Sequence, residues 1–275
     1  MTLSSTPLKI GAVSYLNTKP LVYGLSQRLP DAEISYDLPS RLADDLAAGS
    51  LDIALIPTVE YFADPDYEII SDACIACRGP VLSVSLLSRV PMHEIKSLAL
   101  DEGSRTSIAL VQVLLKVHHN IVPELSALPI GSSARDVEAD AVLVIGDRAM
   151  SELENDFSFH WDLGEQWCQW SDTSFVFAMW TARRNSGFDS GFDSGFDSGF
   201  DASVVSRAFE DARDEGLNNL REIAEQEAGT LGLSSDQCLS YLRDNLYFFL
   251  GDRERSGLEL FREHATSMGL VGNTV

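Results

Sequence analysis

Basic residues are scarce in this sequence: 20 Lys and Arg stand against 42 Asp and Glu in 275 residues, a net charge of −22. A field of that sign repels phosphate backbones and anionic lipid, which sets nucleic-acid and membrane-surface binding aside. It also repels an anionic substrate at long range, so a site for one must be built from backbone dipoles and a few polar side chains. Cysteine is scarce too. Cys74, Cys77, Cys168 and Cys238 are too few for a disulfide framework in a chain this long. No stretch approaches the ~18 uninterrupted apolar residues of a membrane span. Residues 1–9 are polar, broken by Pro7, and lack a basic patch ahead of an apolar run, so no secretory signal is read and a cytoplasmic location is expected. Also missing are the Gly-x-Ser-x-Gly elbow, the phosphate loop, His-Glu-x-x-His and Gly-x-Gly-x-x-Gly. Neither metal nor cofactor is expected.

What is present is ample apolar material: 45% of the residues are hydrophobic, enough for a packed core. At about 150 residues per domain the length allows roughly two domains. Residues 8–13, 33–38 and 51–56 read as strands. Between them, a helix is expected from Pro20, and a second one capped by Ser40, carrying Leu42, Ala43, Leu46 and Ala47, and stopped by Gly49. Strands alternating with helices imply a parallel sheet wrapped by helices. Residues 69–75 and 81–87 add strands, and the pattern then restarts. A strand over 97–100 precedes a long apolar helix capped by Ser104 and running to His118; strands follow over 125–130, 141–145 and 175–182. Two such sets imply an α/β chain of two lobes with a ligand cleft between them, crossing near 89–96 and 174–182. The expected division is 1–88 plus 183–275 for the first lobe and 89–182 for the second. Residues 186–201 are four tandem Ser-Gly-Phe-Asp copies, expected to be a flexible surface insertion. The remaining segments, including 238–250 and 253–268, are expected to be helical and to cap the first lobe.

Three strand ends carry small hydroxyl or amide residues where a helix starts: Ser14-Tyr15-Leu16-Asn17-Thr18-Lys19-Pro20, Asp101-Glu102-Gly103-Ser104-Arg105-Thr106-Ser107 and Gly146-Asp147. The free N–H groups and positive dipole end of a helix make an anion site without a basic protein. Ser104 and Asp147 also suit plain N-caps. Cys74-x-x-Cys77 has half-site spacing for zinc or redox work, but on a strand such residues face opposite ways, so both are expected to fill core. His118-His119 suits a helix C-terminus, and of Trp161, Trp167, Trp170 and Trp180 most are expected in the core.

The string Val13-Ser14-Tyr15-Leu16-Asn17-Thr18-Lys19-Pro20-Leu21 resembles the opening of the chorismate dehydratases, which begin the futalosine route to menaquinone. Gly79-Pro80-Val81-Leu82-Ser83-Val84, Ser104-Arg105-Thr106-Ser107-Ile108-Ala109-Leu110, Ile145-Gly146-Asp147 and Leu163-Gly164-Glu165-Gln166-Trp167 are similar to later blocks of that family. So are Phe175-Val176-Phe177-Ala178-Met179-Trp180 and Gly257-Leu258-Glu259-Leu260-Phe261. The related 1,4-dihydroxy-6-naphthoate synthases open with a Cys-Pro-Asn-Asp type motif, where this chain has Tyr15-Leu16-Asn17. The resemblance implies a type II periplasmic-binding-protein fold and loss of water from chorismate to give 3-[(1-carboxyvinyl)oxy]benzoate. It implies catalytic roles for Asn17 and Ser83. Ser14, Tyr15, Ser104, Thr106, Ser107, Gly146 and Asp147 become candidates for holding the two carboxylates. The proton acceptor stays open between the substrate's own side-chain carboxylate and Asp147. The alternative is a non-catalytic small-carboxylate-binding protein of the same fold. A ligand-sensing regulator is a third reading, without a DNA-reading helix pair to support it.

Overall fold

A computed structural model of the chain describes residues 7–150, 157–184 and 201–272. The first apolar run forms β1 (Lys9–Val13), buried at every residue after Lys9. A 3-10 segment, Leu16–Val22, follows directly. The expected helix start at Pro20 is thus corrected: Pro20 lies inside a tight turn that has few ladder bonds for its missing N–H to break. The short α1 (Leu25–Arg28) leads to β2 (Glu33–Asp37) and α2 (Pro39–Ala47). Pro39 rather than Ser40 opens α2, with Leu38 at the N-cap, because proline's fixed φ suits the first helical position. Then come β3 (Ile53–Pro57), α3 (Thr58–Ala63) and the long β4 (Tyr67–Cys77). Cys74 and Cys77 are free and buried on β4.

The second set comprises β5 (Val84–Ser88), β6 (Ser97–Asp101) and α4 (Arg105–Val113), which a π-type turn extends to His118. It continues through β7 (Glu124–Leu128), β8 (Ala141–Ile145), β9 (Phe159–Asp162) and α5 (Leu163–Ser171) to β10 (Phe175–Arg183). Beyond it lie α6 (Ala202–Asn218), α7 (Leu220–Leu231), α8 (Ser235–Ser240), a π-type turn over Tyr241–Asn245, β11 (Tyr247–Phe249) and α9 (Asp252–Ser267). The helix expected over 238–250 therefore ends early. Burial alternates there, with Leu246, Phe248 and Leu250 inside and Tyr247 and Phe249 half out, which is the period of a strand. Residues 186–200 of the tandem repeat lie outside the described residues. Asp201 caps α6 by accepting from the Ser203 N–H at 2.9 Å.

The strands form two sheets, β11-β4-β10-β3-β1-β2 and β7-β6-β8-β5-β9. In the first, β1 runs parallel to β2 and β3, while β10 is antiparallel to both β3 and β4. In the second, β6 is parallel to β7 and β8, and β5 is antiparallel to β8 and β9. The chain thus changes sheets at 78–83, between β4 and β5, and again at 172–174, between α5 and β10. This differs from the division at 1–88 plus 183–275 and 89–182. Val84–Ser88 joins the second sheet and Phe175–Arg183 the first, because a strand belongs to the neighbours its backbone pairs with and not to the charge or turn signals flanking it. The C-terminal helices pack as expected against the first sheet and the 3-10 segment. Gly216 of α6 sits so close to the Pro20 carbonyl that any β-carbon would collide with it. Among the described residues no helix is long and apolar enough to cross a membrane.

Candidate active site

A cavity opens where the sheets face each other. Val13, Pro57 and Ile145, the last residues of β1, β3 and β8, line it, so it lies outside the carboxyl ends of the strands, the usual ligand position in such sheets. Ile75, Phe177 and Ala178 give it an apolar floor, and Tyr15, Asn17, Ser83, Ser104 and Ser107 are its polar wall. Among the described residues lining it, none is charged. The cations on the surrounding loops are engaged elsewhere: Lys19 with Glu227 at 2.9 Å, Arg105 with Asp44 at 2.9 Å, and Arg148 with Asp101.

Ser83 stands on a strained turn. Its N–H donates to the Val81 carbonyl at 2.7 Å while Leu82 sits at φ 61°, the rare γ-turn that a leucine adopts only when its surroundings impose it. The imposing group is the Asp162 carboxylate, at the end of β9. It accepts from Val81 N–H at 2.9 Å, Leu82 N–H at 2.6 Å and Glu165 N–H at 2.9 Å, so one side chain holds the crossover and caps α5. Ser83 is buried and its Oγ accepts from the Tyr241 hydroxyl at 2.9 Å. Asn17 Oδ1, on the same wall, accepts from Thr18 Oγ1 at 3.3 Å.

Across the cavity the Ser104 oxygen accepts from both the Ser107 N–H, at 3.4 Å, and the Ser107 hydroxyl, at 3.1 Å. Ser104 is thus the N-cap of α4 and its own proton is left to point elsewhere. Asp101 shapes this loop, accepting from Gly103 N–H at 3.0 Å and Ile145 N–H at 3.1 Å. The Tyr15 ring spans from the first sheet to the loops after β6 and β8. Gly146, at φ 72°, would place a β-carbon 2.8 Å from that ring, so glycine is required there both for conformation and for room. Burial, with the Asp101 carboxylate next, pushes the Tyr15 phenol far above its ordinary range, so it stays protonated.

Six of the nine site residues expected from the sequence therefore line one cavity: Tyr15, Asn17, Ser83, Ser104, Ser107 and Gly146. Ser14, Thr106 and Asp147 do not line it. Ser14 is exposed, and its N–H donates to the Asp37 carbonyl at 3.1 Å, extending the β1–β2 ladder. Thr106 is fully buried behind the wall, where its Oγ1 accepts from Val59 N–H at 3.1 Å and so caps α3. The Asp147 carboxylate accepts from the Leu16 N–H at 3.2 and 3.3 Å, capping the 3-10 segment that carries Asn17. Burial lifts its pKa to about 6. Tyr241 and Asp162 carry no local motif that points to the site, and they reach Ser83 and Leu82 across 158 and 80 positions of sequence. No tryptophan lines the cavity: Trp167 and Trp180 are fully buried, while Trp161 and Trp170 pack on His119 and His118.

Two mixed sheets joined by two crossovers, with the ligand cavity between them, define the two-lobed periplasmic-binding-protein-like class. A solved structure of a protein from Archaeoglobus fulgidus matches 98% of this chain and 100% of its own with a TM-score of 0.74 and 14% identity. The periplasmic aliphatic sulphonate binding protein of Escherichia coli matches 99% of this chain and 90% of its own, with a TM-score of 0.65 and 16% identity. The chain belongs to the menaquinone biosynthesis family, whose sequence profile matches residues 8–267. A chorismate dehydratase of Thermus thermophilus is 29% identical over 274 residues, covering 94% of each chain.

Proposed function

We propose that the cavity binds chorismate and removes water from it to give 3-[(1-carboxyvinyl)oxy]benzoate, an early step of the futalosine route to menaquinone. The observation that carries this is the wall itself: Asn17, Ser83 and Ser104, the last oriented by Ser107, offer neutral donors around an uncharged cavity beside the start of α4. Such donors can hold carboxylates in a molecule whose overall charge repels them. In the reaction the ring carbon bearing the enolpyruvyl ether loses a proton, and its C–H electron pair becomes a new ring double bond. Hydroxide leaves the neighbouring carbon, and proton and hydroxide depart as water. The ring becomes aromatic, so the protein needs to position the substrate and stabilise charge rather than supply a strong nucleophile.

Asn17 and Ser83 hold the side-chain carboxylate against the ring proton it removes, and the Ser104–Ser107 helix start holds the ring carboxylate. Thr106 and Asp147 act behind the wall: Asp147 caps the 3-10 segment that carries Asn17, and Thr106 caps α3. The four free cysteines suit a reducing compartment, and we place the protein in the cytoplasm. Incubation with chorismate should give a product lighter by one water in the mass spectrometer. Asn17→Ala and Ser83→Ala should each lower kcat by about a hundredfold while the fold, read by circular dichroism, is kept. Near-normal turnover in both variants would remove these two residues from the chemistry; binding without turnover by the native protein would instead favour a non-catalytic binder.

A further inference from the structure

Resting on that reading of the cavity, we propose that Tyr241 is a positioning residue that fixes Ser83 as a hydrogen-bond donor toward the ligand. Tyr241 does not line the cavity. It comes from the π-type turn after α8 and is fully buried behind Ser83. A phenol has one proton, and here it goes to Ser83 Oγ at 2.9 Å.

Ser83, whose oxygen receives the phenol proton, has its own proton free to point into the cavity. Without Tyr241 the Ser83 hydroxyl could rotate and present its oxygen, which a carboxylate would repel. The Tyr241–Ser83 bond thus sets the polarity of that wall. Ser104, accepting twice from Ser107, has its polarity set in the same manner on the opposite side.

The test is a double-mutant cycle between Tyr241→Phe and Ser83→Ala, read by calorimetric affinity for isophthalate, an aromatic dicarboxylate that needs no turnover. Tyr241→Phe keeps the ring. It should weaken isophthalate binding about tenfold in the native background and less than about threefold in the Ser83→Ala background, because its effect passes through Ser83. kcat/KM for chorismate should fall by a similar factor. An equal factor in both backgrounds, a change below threefold in the native protein, or no isophthalate binding by the native protein overturns the proposal. Native turnover of chorismate is a separate arm; its absence would sink the reaction and leave the affinities to judge Tyr241. Should Tyr241→Phe not fold, 3-fluorotyrosine placed at 241 keeps ring and hydroxyl while strengthening the donor. An unchanged affinity in that variant overturns the proposal too.

Discussion

Asp147 shows what a single residue's surroundings decide. In the sequence it reads first as the cap of the helix after Gly146, with a base as the rival role, since both need a carboxylate after a strand end. In the structure its oxygens face the Leu16 N–H and not the cavity, and burial raises its pKa to about 6 from an ordinary 3.8. A carboxyl whose folded-state pKa is raised holds its proton more tightly in the native state. The stability this lends is full below pH ~4 and is lost as pH rises through 6. Asp147→Asn keeps an acceptor for Leu16 without the buried charge. Thermal denaturation should therefore show the variant gaining about 1–2 kcal/mol on the native protein between pH 4.5 and 7.5, a few degrees in Tm. Turnover should stay within about threefold. A hundredfold loss with intact folding would make Asp147 the base. The other site residues differ in how visible they were. Asn17, Ser83, Ser104 and Gly146 sit beside strand ends, where small polar residues are legible. Tyr241 is separated from Ser83 by 158 positions, and nothing in its own neighbourhood marks it.

At the scale of elements, legibility did not follow burial alone: β2 and β7 were read as strands although most of their residues are exposed, whereas β9 and β11 were missed. The buried β8 and β3 were legible as apolar runs. The edge strand β9, with two of its four residues exposed, has no such run, and α5 follows it with no break in the pattern. β11 was hidden by its aromatics, which fit a helix period over so few residues. The γ-turn at Leu82 was beyond reach, because the Asp162 carboxylate that imposes it lies 80 residues away. Thr106 marks a different gap: a hydroxyl in the first turn of a helix reads as an anion donor, yet here it satisfies another helix. α3 starts with an N–H at Val59 that has no intrahelical acceptor, and Thr106 Oγ1 supplies one from α4. Thr106→Val, close in shape, leaves that buried N–H unpaired and should cost about 1–3 kcal/mol of stability, read as a lowered Tm. KM for chorismate in the folded variant should move by less than about threefold. A large rise in KM at unchanged Tm would return Thr106 to the substrate.

The whole molecule poses a problem that its parts solve locally. A chain of net charge −22 must admit a dianion to a cavity whose described lining carries no charge, through a field that repels it. Where a basic funnel draws its substrate in, added salt screens the attraction and lowers kcat/KM. Here the sign is reversed. The attraction at contact comes from short-range donors, Asn17, Ser83 and Ser104, held in place by hydrogen bonds that salt hardly reaches. The opposing term is long-range repulsion from surface carboxylates, which salt screens well. The Debye length falls from about 30 Å at 10 mM to about 8 Å at 150 mM ionic strength, shorter than the span of a lobe. Raising the salt over that range should therefore increase kcat/KM for chorismate, by about two- to tenfold, mostly through KM. Steady-state kinetics at constant pH and temperature would read it directly. A fall in kcat/KM with salt would mean that an unseen cationic group guides the substrate in, and that backbone dipoles and neutral donors are not what binds it.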